Sequence, residues 1–259
     1  MRVVRIGQVA TEELLMAVRK KRATRRGATT GRGDAKKPAA VRSRNRSAVK
    51  RPQKGAAGSA YHHGDLRKAL LQATEELLES SGLEGFTLRE VARRVGVSHG
   101  APAHHFGDVR GLLSEFTAQS YEDMSATMVR QRERADADAF EQLVATGVAY
   151  VEYALAHRAR FQLMFRSDRL DWTRESLVEA GAKTYGHLVE CTTRVASEAG
   201  TPDRLVRQKI ALAWSLVHGF ATLLIDNRKF AEQVQGDAAR ALAMLRDMLD
   251  LSRPTFEAR

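Results

Sequence analysis

The stretch from Phe86 to Phe106 constrains the fold more than any other, because it carries the start, stop and turn signals of two short helices in succession. Thr87 and Glu90 stand at the spacing of a capping box, in which each side chain satisfies a backbone N–H at a helix start. Phe86 and Val91 flank that cap at the spacing of a hydrophobic staple. Leu88, Val91, Ala92 and Val95 mark a core-facing side. Gly96 makes the turn, Val97 plugs it, and Ser98 is placed to cap the second helix. Upstream, Leu66, Leu70, Ala73 and Leu77 recur on one face of a bracing helix that Asp65 can cap and Ser81-Gly82 can stop. A brace followed by two helices and a Gly-containing turn lets one helix stand clear and enter the major groove of DNA.

The rest of the chain repeats the helical period. Helices are expected near 108–133, 137–157, 159–167, 172–199, 203–227 and 237–252, and no run keeps the two-residue period of a strand. The expected fold class is all-α. In the 203–227 helix, Ile210, Trp214, Val217, Ala221 and Leu224 form one apolar face, and Leu212, Leu216, Phe220 and Leu223 form another. A helix apolar on two sides is buried on two sides. With Leu242, Leu245 and Leu249 of the last helix, this predicts a four-helix dimer contact built on Ile210, Val217, Ala221, Leu224, Leu242, Leu245 and Leu249.

Charge divides the chain differently. Residues 1–60 hold 17 Lys+Arg against 3 Asp+Glu, whereas the other 199 residues hold 25 against 28. The net +11 therefore belongs to the N-terminal extension. Its Ala, Arg, Lys, Gly and Ser cannot bury enough apolar surface to offset chain entropy, so a disordered basic arm is expected over 1–60. Either the arm attracts DNA phosphates or it is a spacer. The expected domains are this arm, a DNA-binding unit over 61–107, and a helical effector-binding and dimerisation unit over 108–259. The single Cys191 excludes an intrachain disulfide and a multi-cysteine zinc site, and fits a reduced, cytoplasmic setting. No uninterrupted apolar run approaches the roughly 20 residues that span a bilayer, so no membrane partner is expected.

The histidines do not form a metal pattern. His62-His63 and His104-His105 are adjacent pairs, and His99 and His104 are five apart, whereas a helical metal pair uses i, i+4 spacing. No metal and no cofactor is expected. His187 precedes Cys191 by one turn, close enough for a thiol–imidazole contact, but nothing supplies an oxyanion site and an enzyme is not expected. Trp214 and His218 share a face. They are either core packing or, with Tyr150, Tyr153, Phe165 and Tyr185, the lining of an effector cavity.

The chain resembles the tetracycline-repressor family of bacterial regulators over residues 61–120, through Thr87-Leu88-Arg89-Glu90-Val91-Ala92, Gly96-Val97-Ser98 and His105-Phe106. Arg160-Phe161-Gln162-Leu163-Met164-Phe165 and Trp214-Ser215-Leu216-Val217-His218-Gly219 look like a subgroup with a Trp…His-Gly regulatory domain. The resemblance implies a homodimer bound to double-stranded DNA and released by a small-molecule effector. Members commonly carry Tyr at the position of Ala103 and Lys at that of Val109, so Arg110 is the nearest substitute for a phosphate contact. The expected DNA-binding set has His99, Gly100, Ala101, Ala103 and His104 at the bases and Thr87, Arg89, Ser98 and Arg110 at phosphates, and also includes His105. Pro102 predicts a short, slightly irregular recognition helix. The rival reading is an architectural protein that binds DNA without sequence preference through its basic arm.

Overall fold

The structure, a computed structural model, describes residues 63–258. The basic arm lies outside the described residues. The elements are α1 (His63–Ser81), α2 (Leu88–Val95), α3 (Ala101–Phe106), α4 (Val109–Arg134), α5 (Ala139–Ala156), α6 (Arg158–Met164), α7 (Glu175–Glu198), α8 (Asp203–Asp226), α9 (Arg228–Gln233) and α10 (Ala238–Glu257). No strand occurs among the described residues. Residues 63–66 are the first turn of α1, and from Arg67 onward the chain forms one compact unit.

The helix ends follow local chemistry. Gly82 (φ 68°) and Gly96 (φ 77°) adopt the left-handed conformation that closes α1 and α2. After α2 the Val97 N–H reaches back to the Ala92 carbonyl, the long bond of a Schellman motif. Asp108, Asp138 and Asp237 each accept a backbone N–H at the starts of α4, α5 and α10. Each such cap is worth about 1 kcal/mol.

α4, α5 and α7 pack together at the centre, with α8 on α5 and α7. Gly147 lets α5 and α8 approach: a Cβ there would stand 2.9 Å from Val217 Cγ1. α10 runs past its expected end at 252 although Pro254 lies inside it. Proline removes a donor, and the last turn is held by other groups. Phe256 is buried, and the buried Lys209 of α8 donates to the Phe256 and Ala258 carbonyls and to the Thr201 hydroxyl.

α8 differs from its expected role. Val217, Ala221, Leu224, Leu245 and Leu249 are all buried within the single chain. Those five residues are therefore core and cannot meet a second copy; Ile210 and Leu242 are half-buried. The uncovered apolar surface lies elsewhere, on half-exposed Leu212 and Leu216, on Leu223 (43% exposed) and, in α10, on Met244 and Leu251. By length and composition α8 could cross a membrane, yet its core side packs on α5 and α7.

Candidate nucleic-acid interface and aromatic cluster

α2 carries the first part of the interface. The Thr87 side chain accepts the Glu90 N–H at 3.2 Å, so half of the capping box forms. Glu90 does not complete it, because its carboxylate is taken by the Arg93 guanidinium, which also holds its pKa below the usual value. Val91 and Ala92 are buried, Leu88 and Val95 half-buried, and Arg89 faces solvent.

α3 begins later than its sequence suggests. Ser98 does not cap it; its carbonyl accepts the Ala101 N–H in a turn, and the cap position is Gly100, which makes no side-chain bond. The shift has a steric and hydrogen-bonding cause. Starting at Ala101 puts Pro102 in the first turn, where its missing N–H costs nothing. The result is a helix of six residues with Pro102 and Phe106 buried as its anchors. Ser98, His99, Gly100, Ala103 and His104 are exposed and Ala101 half-exposed. His105 is half-buried, its ring 5.6 Å from that of His104 and 6.2 Å from that of Phe106. The Arg110 guanidinium, expected at a phosphate, instead donates to the Leu170 carbonyl at 2.6 Å.

A second concentration of chemistry surrounds His218 on α8. Its ring centroid lies 4.5 Å from Phe165, 5.8 Å from Trp214, 5.8 Å from Phe161 and 6.4 Å from Tyr150. Tyr185 packs edge-on against Trp214 at 5.6 Å. The Tyr150 hydroxyl and His218 Nδ1 share a hydrogen bond of 2.9 Å. Burial pushes the Tyr150 phenol up and the His218 imidazole down, so both are uncharged at neutral pH. Five of the six expected lining residues are thus gathered. Tyr153 is not among them: its ring packs, tilted, against that of His157 at 4.6 Å. Its hydroxyl is buried without a hydrogen bond of good geometry, although Arg160 and Ser120 lie near it. Phe161 was missed, yet its i, i+4 relation to Phe165 on α6 is visible in the sequence.

His187 does not meet Cys191 as its spacing suggests. Its Nε2 bonds Ser125 Oγ at 2.7 Å, while Cys191 Sγ sits beside Arg132 Nη1 and Thr146 Oγ1. The thiol is buried and plays a packing role.

The two regions are joined by two arginines whose partners sequence reasoning did not identify. Arg160, one residue before Phe161, forms a two-pronged pair with Glu75 of α1 at 2.6 and 2.7 Å and a bond to Asp123 of α4. Arg160 and Glu75 are half-buried, so the pair is less screened than a surface ion pair. Arg174, before α7, donates to the Phe106 carbonyl at the end of α3. Neither carries a local signal, since the partners lie 85 and 68 residues away.

Comparison with known proteins agrees with this geometry. Residues 70–116 match the family described as bacterial regulatory proteins, tetR family, and residues 143–250 match the tetracyclin repressor-like C-terminal domain. A protein of unknown function from Rhodococcus sp. RHA1 is 31% identical, with a TM-score of 0.61 over 74% of this chain and 97% of that one. The TetR family transcriptional regulator PfmR from Thermus thermophilus shares the fold, at 20% identity and a TM-score of 0.55 over 71% of this chain and 94% of that one. The HTH-type transcriptional regulator BetI of Paraburkholderia phytofirmans is 36% identical over 86 residues, 33% of this chain and 44% of that protein. The chain thus spans under half the length of the curated relatives it matches. The chain belongs to the tetR family of bacterial regulatory proteins, and α2–α3 is its helix-turn-helix.

Proposed function

We propose that this protein is a homodimeric, sequence-specific DNA-binding repressor, released from a palindromic operator by a small molecule bound at the His218 cluster. The observation that carries this reading is α3. The turn before it presents His99 and the six-residue helix presents Ala101, Ala103 and His104 outward, while Pro102 and Phe106 anchor it. Alanine methyls meet thymine methyls, and histidine donates or accepts at base edges. Thr87, Arg89 and Ser98 are placed for phosphates, which set register and carry no sequence information. Residues 61–107 read DNA, 108–259 bind effector and partner, and the basic 1–60 arm adds unspecific attraction. DNA as the partner implies a cytoplasmic site of action.

Dimerisation uses the uncovered surface of α8 and α10, centred on Leu212, Leu216, Leu223, Met244 and Leu251, rather than the buried residues of those helices. The most apolar 18-residue stretch of α8 has a mean hydropathy of 1.3, yet only 33% of it is buried in one chain, which leaves an apolar face for a second copy. The effector meets rings and one neutral hydroxyl–imidazole pair.

The reading is tested by selecting duplexes from a randomised library with the full chain. The expected outcome is an inverted repeat with half-sites about one DNA turn, or a multiple, apart. Enrichment of no sequence over random DNA would sink it. With an effector in hand, Trp214→Ala or His218→Ala should keep operator binding and lose release.

A further inference from the structure

Phe106, the last residue of α3, is gripped at both ends. The Arg67 guanidinium of α1 lies 5.5 Å above its ring. Arg174 Nη2 donates to its backbone carbonyl at 2.9 Å. The two arginines converge on one carboxylate. Glu115 of α4 pairs with Arg67 at 2.6 Å and Arg174 at 3.7 Å, and accepts the Ser176 hydroxyl at 2.7 Å. α4 makes room for this grip. A Cβ on Gly111 would stand 2.0 Å from the Phe106 carbonyl oxygen and 2.4 Å from Arg174 Nη2. The first of these is backbone, so no side-chain motion relieves the clash. A glycine in a helix is unfavourable by about 1 kcal/mol relative to alanine, and the close approach explains its presence.

α3 needs such support. It has no side-chain cap at its start and ends after six residues. So short a helix is not stable by itself. The segment that bears Arg174 is also tied to α4 by Arg110 on the Leu170 carbonyl and by the Asp171 N–H on Ser114 Oγ. It begins beside Phe165, a ring of the His218 cluster.

We propose that Arg174 is a positioning residue for DNA reading: through the Phe106 carbonyl and the Gly111 notch it holds the recognition helix in its reading pose. The inference rests on α3 being the reading helix. Arg174 touches no base. It acts on α3 from behind, from a segment that also feels the aromatic cluster.

The test compares the full chain with Arg174→Gln, Arg174→Lys and Gly111→Ala by two readouts. The first is amide hydrogen exchange in the free protein. Arg174→Gln should speed exchange in 103–107 by about tenfold or more, with α5 and α8 unchanged. Gly111→Ala should do the same without removing any charge, and Arg174→Lys should restore part of the protection. The second readout is affinity for a duplex selected by the wild-type chain against a random duplex. Arg174→Gln should lower the ratio of the two about tenfold while random-DNA affinity holds. Unchanged exchange in 103–107 overturns the proposal, and so does faster exchange spread evenly over all helices. Should the wild-type chain select no sequence, the DNA reading fails while the exchange arm still decides whether Arg174 holds α3.

Discussion

α3 and α8 both leave one face uncovered, and the two faces have opposite chemistry. α3 shows small side chains and an open imidazole, His104. α8 shows leucines, and its imidazole, His218, is turned into a set of rings. An uncovered face identifies its partner by what it would lose to water. The α3 face loses little when solvated, so it suits a polar, hydrated groove. The α8 face is apolar enough that a second protein surface stabilises it. The same residue type thus does two jobs: His104 remains free to meet a base edge, and His218 is kept neutral by burial.

The largest expected effect separates the two sides of α8. Val217 is 6% exposed, and a carboxylate placed there has no partner. Val217→Glu should cost about 4 kcal/mol or more and abolish cooperative melting. The pair Leu216→Glu with Leu223→Glu lies on the open side. It should melt like wild type yet sediment as a monomer and lose tight operator binding. Equal loss of folding in both variants would remove the distinction between the faces.

Next comes the division between the arm and α3. Removing residues 1–58 takes away the main store of positive charge. Each phosphate contact contributes about −0.9 to the slope of log affinity against log salt, so three lost contacts flatten it by roughly 2.7. Discrimination between selected and random duplexes should survive, because it belongs to α3. An unchanged slope makes the arm a spacer. Loss of discrimination with the arm would instead favour the architectural reading.

A smaller effect is expected from α3 itself. His104→Ala should cost about 1–3 kcal/mol on the selected duplex and relax preference at one base step. The salt slope should not change, since no phosphate contact is lost. A uniform loss over all sequences would move His104 to the backbone-contacting set.

The sequence made α1 and α2 legible because their signals are local: Gly82 and Gly96 need only their own φ, and Thr87 needs only Glu90 three residues on. It misplaced the start of α3 because two local rules compete there, a serine cap against a proline that must fall in the first turn, and the proline prevailed. On α8 the periodicity revealed two apolar faces but not which one the chain fills itself. That depends on α5 and on Gly147, far away in sequence. The partners of Arg160 and Arg174 were invisible for the same reason. An arginine has no short-range mark that it will find a carboxylate or a carbonyl in another helix.

The last and smallest effect concerns His218. Burial holds its imidazole below the ordinary value near 6.5, and no neighbouring charge offsets this. His187 is shifted the same way by burial and by Arg132. The unfolded chain therefore binds protons at these sites before the folded one does. Their contribution to stability is complete above about pH 6.5 and is lost as pH falls through the depressed folded values. One such histidine contributes at most about 1.4 kcal/mol per pH unit in that window. His218→Phe keeps a ring among Phe161, Phe165 and Trp214 but cannot titrate, and it leaves the Tyr150 hydroxyl without its partner. It should be less stable than wild type at pH 8, and the gap should narrow toward pH 5 as the wild type alone carries the protonation penalty at this site. Urea unfolding of wild type and His218→Phe at pH 5, 6, 7 and 8 reads the gap. Parallel curves for His218→Phe and wild type would mean that burial does not hold the His218 imidazole down, and the account of α8 would fail at this point.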